Sequence, residues 1–247
     1  MVKTMSAATV LALLRQVPLF AQLQMADLQA VARTAQSVYR KKTARIFEEG
    51  SVADCCFILT SGRVKVVLAG PRDTEMILGM IEPLAVIGEI ALLDDSPRSA
   101  GLVAVTDCQL IRISRASFEA LRKNPEFEDR LVAHVTSTLR RATEQLRAMY
   151  TFSSAERLAW CLAQVAGQRG QPDGDTLRIS PKPPHHELAD MTGCSRETVS
   201  RALLRFRRLK WVSWDTKALY VNTSVIKRYY GNLPRASDVT EITRLVS

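Results

Sequence analysis

From Val38 to Ile113 the chain is cut into short β-prone runs by turn signals, and that texture leaves few folds open. Strands are expected near Val38–Arg40, Ala44–Phe47, Cys55–Thr60, Gly62–Leu68, Glu75–Met80, Ala85–Ile87, Ala100–Ala104 and Cys108–Ile113. Turns are expected at Glu49-Gly50, Ser61-Gly62, Gly70-Pro71 and Glu82-Pro83. Short strands at this spacing suit an antiparallel barrel or jelly roll, which encloses space for a small ligand. Residues 38–113 contain no histidine, so the metal-ligand cluster a cupin-type enzyme needs is missing from these strands. Cys55 and Cys56 read as small packing residues within one strand.

One segment inside the roll breaks the pattern: Gly88 to Ala100, GEIALLDDSPRSA. Ile90 to Leu93 fits a single helical turn behind a glycine, and unpaired N–H groups at a helix start attract anions. Arg98 can grip a phosphate with two prongs, Ser99 can donate a hydroxyl, and Glu89 can accept from a sugar hydroxyl. The same letters also allow a plain acidic turn, with Asp94 or Asp95 paired to Arg98 at the surface.

Helical patterns flank the roll. Residues 8–36 show helical periodicity broken at Pro18, with Leu23, Leu28 and Val31 in a second short helix. A capped helix is expected from Ser117 to Arg122, and a long one from Asn124-Pro125 to about Tyr150. In the long helix Leu131, Val135, Leu139, Ala142, Leu146 and Met149 step by threes and fours, close to a heptad seam. That spacing predicts a parallel coiled-coil homodimer.

The C-terminal third carries the charge. The 247 residues suit two modest domains. Net charge is +9, but residues 1–150 hold 19 Lys+Arg against 16 Asp+Glu, whereas residues 151–247 hold 15 against 9. A basic half of this kind favours a polyanionic partner. Five cysteines without CxxC spacing indicate neither a zinc site nor a disulfide framework, and no metal is expected. The N-terminus lacks the pattern of a leader peptide, and no apolar run approaches the roughly 20 residues of a membrane span. The expectation is a reduced, cytoplasmic protein with no membrane partner.

Within that third, Phe152 to Gln168 reads as a helix with Leu158, Leu162 and Val165 on one face, followed by a polar loop (Gly167–Asp175) and a short strand at Leu177–Ile179. Then His185 to Met191 forms a short helix, Thr192-Gly193 a tight turn, and GCSRETVSRALLRFRRLK (Gly193 to Lys210) a basic helix. Val199, Ala202, Leu203, Phe206 and Leu209 have the spacing of one buried face, and Ser195 stands as N-cap with Thr198 in place of the capping-box acid. Glu197, Arg201, Arg205 and Arg208 line the other side. Short helix, glycine turn and basic helix make a helix-turn-helix, whose second helix enters the DNA major groove. Trp211–Trp214 and Ala218–Val221, joined by Asp215-Thr216-Lys217, read as a wing whose tryptophans pack rather than touch DNA. The tail from Asn232 has a faint helical period.

Two of these stretches resemble a known family. CSRETVSR is similar to the recognition helix of Crp/Fnr regulators, in which the residues matching Arg196, Glu197 and Arg201 read a TGTGA-like half-site. GEIALLDDSPRSA resembles the phosphate-binding cassette of cyclic-nucleotide-binding domains, with Gly88, Glu89, Arg98, Ser99 and Ala100 at matching positions. ARIFEEGSVADCCFILTSGRVKV is similar to that family's first roll strands, and the likeness runs from about residue 19 to 222. It implies an α+β protein: a jelly-roll-like effector domain with N-terminal helices (1–123), a dimerisation helix (124–150), and a winged helix-turn-helix with a tail (151–247).

The implied ligand residues are Gly88, Glu89, Ile90, Arg98, Ser99, Ala100, Thr138 and Thr143, with Glu89 on the ribose 2′-hydroxyl and Arg98 and Ser99 on the cyclic phosphate. The implied DNA residues are Ser195, Arg196, Glu197, Thr198, Ser200, Arg201, Arg205 and Arg208, with Arg205, Arg208 and Lys210 mainly on phosphates. Implied partners are a palindromic duplex, a second copy of the chain and RNA polymerase. Cyclic AMP is the implied effector, with cyclic GMP or cyclic di-GMP as alternatives. The chain departs from the cyclic-AMP-binding pattern at one point: the family's adenine-contacting Thr-Ser pair is here Ala142-Thr143. A ligand-independent regulator is another alternative. An iron–sulfur sensor is disfavoured because the first cysteine is Cys55, and a haem sensor lacks an evident ligand pair apart from His134. A cyclic-nucleotide module without DNA binding conflicts with the RETVSR helix.

Overall fold

A computed structural model of the chain describes residues 5–70 and 75–230. Its contacts divide the chain into two units, Met1–Thr136 and Ser137–Ser247.

The first unit begins with α1 (Ala7–Leu14) and α2 (Met25–Thr34), followed by β1 (Gln36–Arg40), β2 (Arg45–Phe47), β3 (Cys55–Ser61), β4 (Val64–Ala69), β5 (Glu75–Ile81) and β6 (Val86–Ile87). A short α3 (Ile90–Leu93) precedes β7 (Gly101–Ala104), β8 (Cys108–Ser114) and α4 (Arg115–Arg122). All eight expected strands are present within a few residues of their predicted bounds. They form two four-stranded antiparallel sheets, ordered β1-β8-β3-β6 and β2-β7-β4-β5.

Alternation along the strands gives each sheet an inner and an outer face. Cys55, Phe57 and Leu59 of β3 join Val64 of β4 and Leu102 of β7 in a core shared by the two sheets. Cys56 and Ile58 point the opposite way, into a second core with Leu14, Leu28, Phe118, Phe127 and Leu131 from the helices and Phe20 from the turns between α1 and α2. The two adjacent cysteines therefore pack into different cores. Both thiols are raised above their ordinary pKa by burial, and all five cysteines are free. Capping sets α4 two residues earlier than predicted, because Ser114 is the N-cap, its Oγ accepting from Ser117 N–H at 3.2 Å.

The long helix, α5 (Pro125–Thr151), spans the boundary between the units. It corrects the predicted seam at one end. Leu131 is 1% exposed in the first unit's core, whereas Val132, Leu139 and Leu146 are 59%, 66% and 56% exposed. The open stripe thus runs through Val132, Leu139 and Leu146, spaced by seven, and Leu131 belongs to the roll side.

The second unit contains α6 (Ser154–Arg169), β9 (Gln171–Asp173), β10 (Thr176–Ile179), α7 (His185–Thr192), α8 (Arg196–Arg208), β11 (Val212–Trp214), β12 (Leu219–Asn222) and α9 (Thr223–Tyr230). Its sheet runs β11-β12-β10-β9, all antiparallel. Ser153 and Glu156 make a reciprocal capping box at the start of α6. Leu158, Leu162 and Val165 of α6 pack against Leu188, Val199, Leu203 and Phe206. Two elements were not anticipated: β9 within the polar loop, and α9 after the wing. Pro172 is tolerated in β9 because that strand is an edge. The tail expectation from Asn232 lies outside the described residues, as does part of the predicted Gly70-Pro71 turn.

Candidate functional site

The first candidate site is the segment that interrupts the roll. After β6 the chain turns at Gly88, whose φ of +81° suits glycine. A Cβ there would lie 2.5 Å from Arg98 Nη1, so the guanidinium passes directly over the glycine. Glu89 opens α3, and Leu92 N–H donates to its carbonyl at 2.9 Å. Asp94 then receives Ser96 N–H at 3.1 Å. The Arg98 backbone is pinned on both sides: its N–H donates to Ser51 O at 2.9 Å, and its carbonyl accepts from Gly50 N–H at 2.8 Å.

That anchoring sends the Arg98 side chain inward, where it is 4% exposed. Nη1 donates to Gly88 O at 2.6 Å, Nη2 to Cys55 O at 2.5 Å, and the guanidinium carbon sits 4.4 Å from the Phe47 ring centroid. Among the described residues no carboxylate lies within ion-pair distance of Arg98, and its Nε is buried with no acceptor. The surface pairing of Asp94 or Asp95 with Arg98, open on sequence grounds, does not form. Asp95 pairs instead with Arg115, which also donates to Ala53 O at 2.8 Å and Ala91 O at 3.4 Å and so ties α3 to the base of the roll. A buried cation without a counter-charge, with one donor left over, is costly unless an anion completes it.

Glu89 is also 4% exposed, and its Oε1 lies 3.0 Å from Nε2 of His134 on α5. Ile90 is 37% exposed, Ser99 is exposed and Ala100 half-buried. The cassette residues Gly88, Glu89, Ile90, Arg98, Ser99 and Ala100 therefore gather at one place in the first unit. Thr138 and Thr143 belong to the second unit, on α5; Thr138 Oγ1 accepts from Arg141 at 3.1 Å and Thr143 Oγ1 donates to Leu139 O at 3.0 Å. The contact of His134 with Glu89 was not anticipated from the sequence. Its signal was a lone polar ring between Leu131 and Val135, the apolar positions of α5 that turn toward the roll.

The second candidate site is α7–α8. Gly193 closes α7 in the left-handed region at φ 62°, which starts the turn, and Ser195 Oγ accepts from Thr198 N at 3.1 Å as the predicted N-cap. Val199, Ala202, Leu203 and Phe206 are buried as expected. Leu209 is not: it is the C-cap residue and 48% exposed, because the helix ends at Arg208 and the face turns away. Ser195, Arg196, Glu197, Arg201, Arg205 and Arg208 are all exposed. Thr198 and Ser200 are half-buried; Ser200 Oγ lies 2.8 Å from His185 Nδ1 and so bridges α8 to the start of α7. Glu197 is held below the usual carboxylate range by hydrogen bonds from its own backbone and Ser195, aided by Arg196 and Arg201.

β11 and β12 form the predicted wing, with Asp215 Oδ1 accepting from Lys217 N at 2.6 Å and Ala218 N at 2.7 Å. Trp211 packs 5.2 Å from Phe206, and Lys182 and Arg207 lie over the Trp214 ring at 5.1 and 4.8 Å. Among the described residues no group of three His, Cys, Asp or Glu could hold a metal ion, and no helix is long and apolar enough to cross a membrane.

Comparison with known proteins matches the two stretches of chain that contain these sites. The cyclic nucleotide-binding domain family matches residues 37–124, and the Crp-like helix-turn-helix domain family matches residues 156–222. The chain is 33% identical over 159 residues to the cyclic AMP receptor protein of Thermus thermophilus, covering 64% of this chain and 70% of that protein. It is 26% identical over 213 residues to the CRP-like cAMP-activated global transcriptional regulator of Mycobacterium tuberculosis, covering 86% and 95%. In fold it is similar to the c-di-GMP responsive global regulator CLP of Xanthomonas campestris, with a TM-score of 0.67, 18% identity, and 81% of this chain and 99% of that one covered.

Proposed function

This chain belongs to the Crp/Fnr family of cyclic nucleotide-binding transcription regulators, and from that premise we propose that it is a homodimer that binds cyclic AMP in its roll and a TGTGA-type palindrome with α8. The observation that carries the ligand reading is Arg98: a buried guanidinium with carbonyl and aromatic partners and, among the described residues, no carboxylate and no acceptor for Nε. A cyclic phosphate would supply the missing charge, with Arg98 and Ser99 as donors, Gly88 as the close-approach residue beside Ile90 and Ala100, and Glu89 accepting from the ribose 2′-hydroxyl. Thr138 and Thr143 would serve the base. With Ala142 in the sequence, one hydroxyl of the family pair is gone, so cyclic GMP and cyclic di-GMP are the competing ligands to be run beside cyclic AMP.

On the DNA side, Arg196 and Arg201 would read guanine and Glu197 cytosine, while Arg205, Arg208 and Lys210 hold phosphates and Ser195, Thr198 and Ser200 support the helix start. The seven-residue spacing of exposed Val132, Leu139 and Leu146 supports a two-fold coiled coil, which would place two α8 helices on the half-sites of a palindrome. Regulation would follow from ligand favouring one arrangement of the two α5 helices, with RNA polymerase as the downstream partner in the cytoplasm.

The test is binding of Arg196→Ala to duplexes varied at each half-site position. Losing a bidentate guanine contact should cost about 1–3 kcal/mol at one position and relax preference there. Equal weakening on every sequence would contradict the role given to Arg196.

A further inference from the structure

Glu89 and Arg98 are the two charged residues buried in the first unit among the described residues, and they are satisfied in different ways. Arg98 is held by backbone carbonyls near it in the roll. Glu89 is held from another element altogether, by His134 of α5 at 3.0 Å. Among the described residues nothing donates to its other oxygen, Oε2.

We propose that His134 is the positioning residue that makes Glu89 a directional acceptor for a ligand hydroxyl. This inference rests on the cyclic-nucleotide reading of the cassette. An ionised carboxylate donates nothing, so the contact requires Nε2 of His134 to carry the proton and donate it to Oε1. A glutamate carboxyl otherwise rotates freely about its last torsion. Anchoring Oε1 fixes the plane of the group and aims the lone pairs of Oε2. The ordering cost is then met before the ligand arrives rather than on binding. His134 is 27% exposed and shares α5 with Leu131 and Val135, both packed into the first unit's core, so the ring is presented from a rigid support. Recognition of the hydroxyl is therefore divided between the roll, which supplies the carboxylate, and the long helix, which orients it.

A merely structural role, capping a buried charge, predicts something different. Removing the ring would then weaken every ligand alike. The distinction is read by isothermal titration of the full chain with cyclic AMP, cyclic GMP and their 2′-deoxy analogues. Wild type should prefer the ribo form by roughly tenfold or more, the worth of a hydrogen bond to a charged acceptor. In His134→Leu that preference should shrink severalfold, toward the near-unity ratio expected of Glu89→Ala, whereas His134→Gln, which keeps an N–H donor, should retain most of it. Circular dichroism of each variant checks that the roll is folded.

If His134→Leu weakens the ribo and deoxy forms equally and leaves their ratio intact, the proposal is overturned while the ligand reading stands. If wild type binds both forms with equal affinity, Glu89 reads no hydroxyl and the proposal also fails. If wild type binds none of the four nucleotides, the roll takes neither cyclic mononucleotide, and the role of His134 falls with that reading.

Discussion

Replacing Gly88 with alanine should collapse the cassette, and the cost can be worked from its geometry. Gly88 sits at φ +81°, where an L side chain costs about 1–2 kcal/mol. The new methyl would meet Arg98 Nη1 at 2.5 Å, Arg98 Cζ at 3.3 Å and Phe47 Cε1 at 3.4 Å. A comfortable contact is roughly 3.5–4 Å, so the guanidinium must retreat by about 1 Å. It cannot swing into water, being 4% exposed, and the retreat breaks its hydrogen bond to Gly88 O. One charge-assisted bond lost is about 1.5–3 kcal/mol. The expected destabilisation is therefore about 2.5–5 kcal/mol. Trp160, Trp211 and Trp214 all lie in the second unit, so tryptophan fluorescence does not report on the roll. The assay is native-state hydrogen exchange at the Ile58 and Ile111 amides in the roll's core. In an Arg98→Ala background no guanidinium meets the methyl, and the same substitution should cost only the backbone share of about 1–2 kcal/mol. Equal costs in both backgrounds, or less than about 1 kcal/mol in the wild type, would refute the packing of Arg98 over Gly88.

Two further predictions concern α5 and the wing. Leu131→Ala should destabilise the first unit by about 2–5 kcal/mol, seen by hydrogen exchange, because it empties a buried site; Leu139→Ala should leave that unit's stability nearly unchanged and lower the dimer fraction in sedimentation. In the wing, Asp215 is held below its ordinary pKa of 3.8 by the N–H groups of Ala218 and Lys217 and by the Tyr220 hydroxyl. A carboxylate depressed in the folded state stabilises that state above its unfolded pKa, and the contribution disappears as pH falls through the lowered folded value. The wing should hence be indifferent to pH between about 5 and 8, and an NMR titration of the Lys217 and Ala218 amides should give a midpoint below 3.8. A midpoint at or above that value would contradict the turn's geometry.

What the sequence revealed follows from how local each signal is. The eight strands were legible because β-prone runs and their turn glycines are set by neighbouring residues; Gly50, Gly62 and Gly88 all adopt positive φ. The same holds for Ser195, whose cap involves atoms three residues apart. Burial depends on what lies across the fold, and there the reading slipped. Leu131 and Val132 are adjacent apolar residues on one helix, and only the roll's helices decide that the first is covered and the second open. Leu209 continues the apolar period of α8 after the helix has stopped. Pro172 disguised β9, since an edge strand needs no donor from that residue. The cassette residues from Gly88 to Ala100 were legible as a group because they are contiguous. His134 was not, because it reaches Glu89 across 45 residues of sequence.

Occupancy of the roll is proposed to control DNA binding by α8. That control is tested most directly by fluorescence anisotropy of the full chain on a labelled TGTGA…TCACA duplex and a scrambled control at fixed salt, without ligand and then with cyclic AMP, cyclic GMP and cyclic di-GMP. Preference for the palindrome is expected, with an affinity changed by cyclic AMP but left unaltered by it in Arg98→Ala. Palindrome binding that is the same under all four conditions would contradict ligand control.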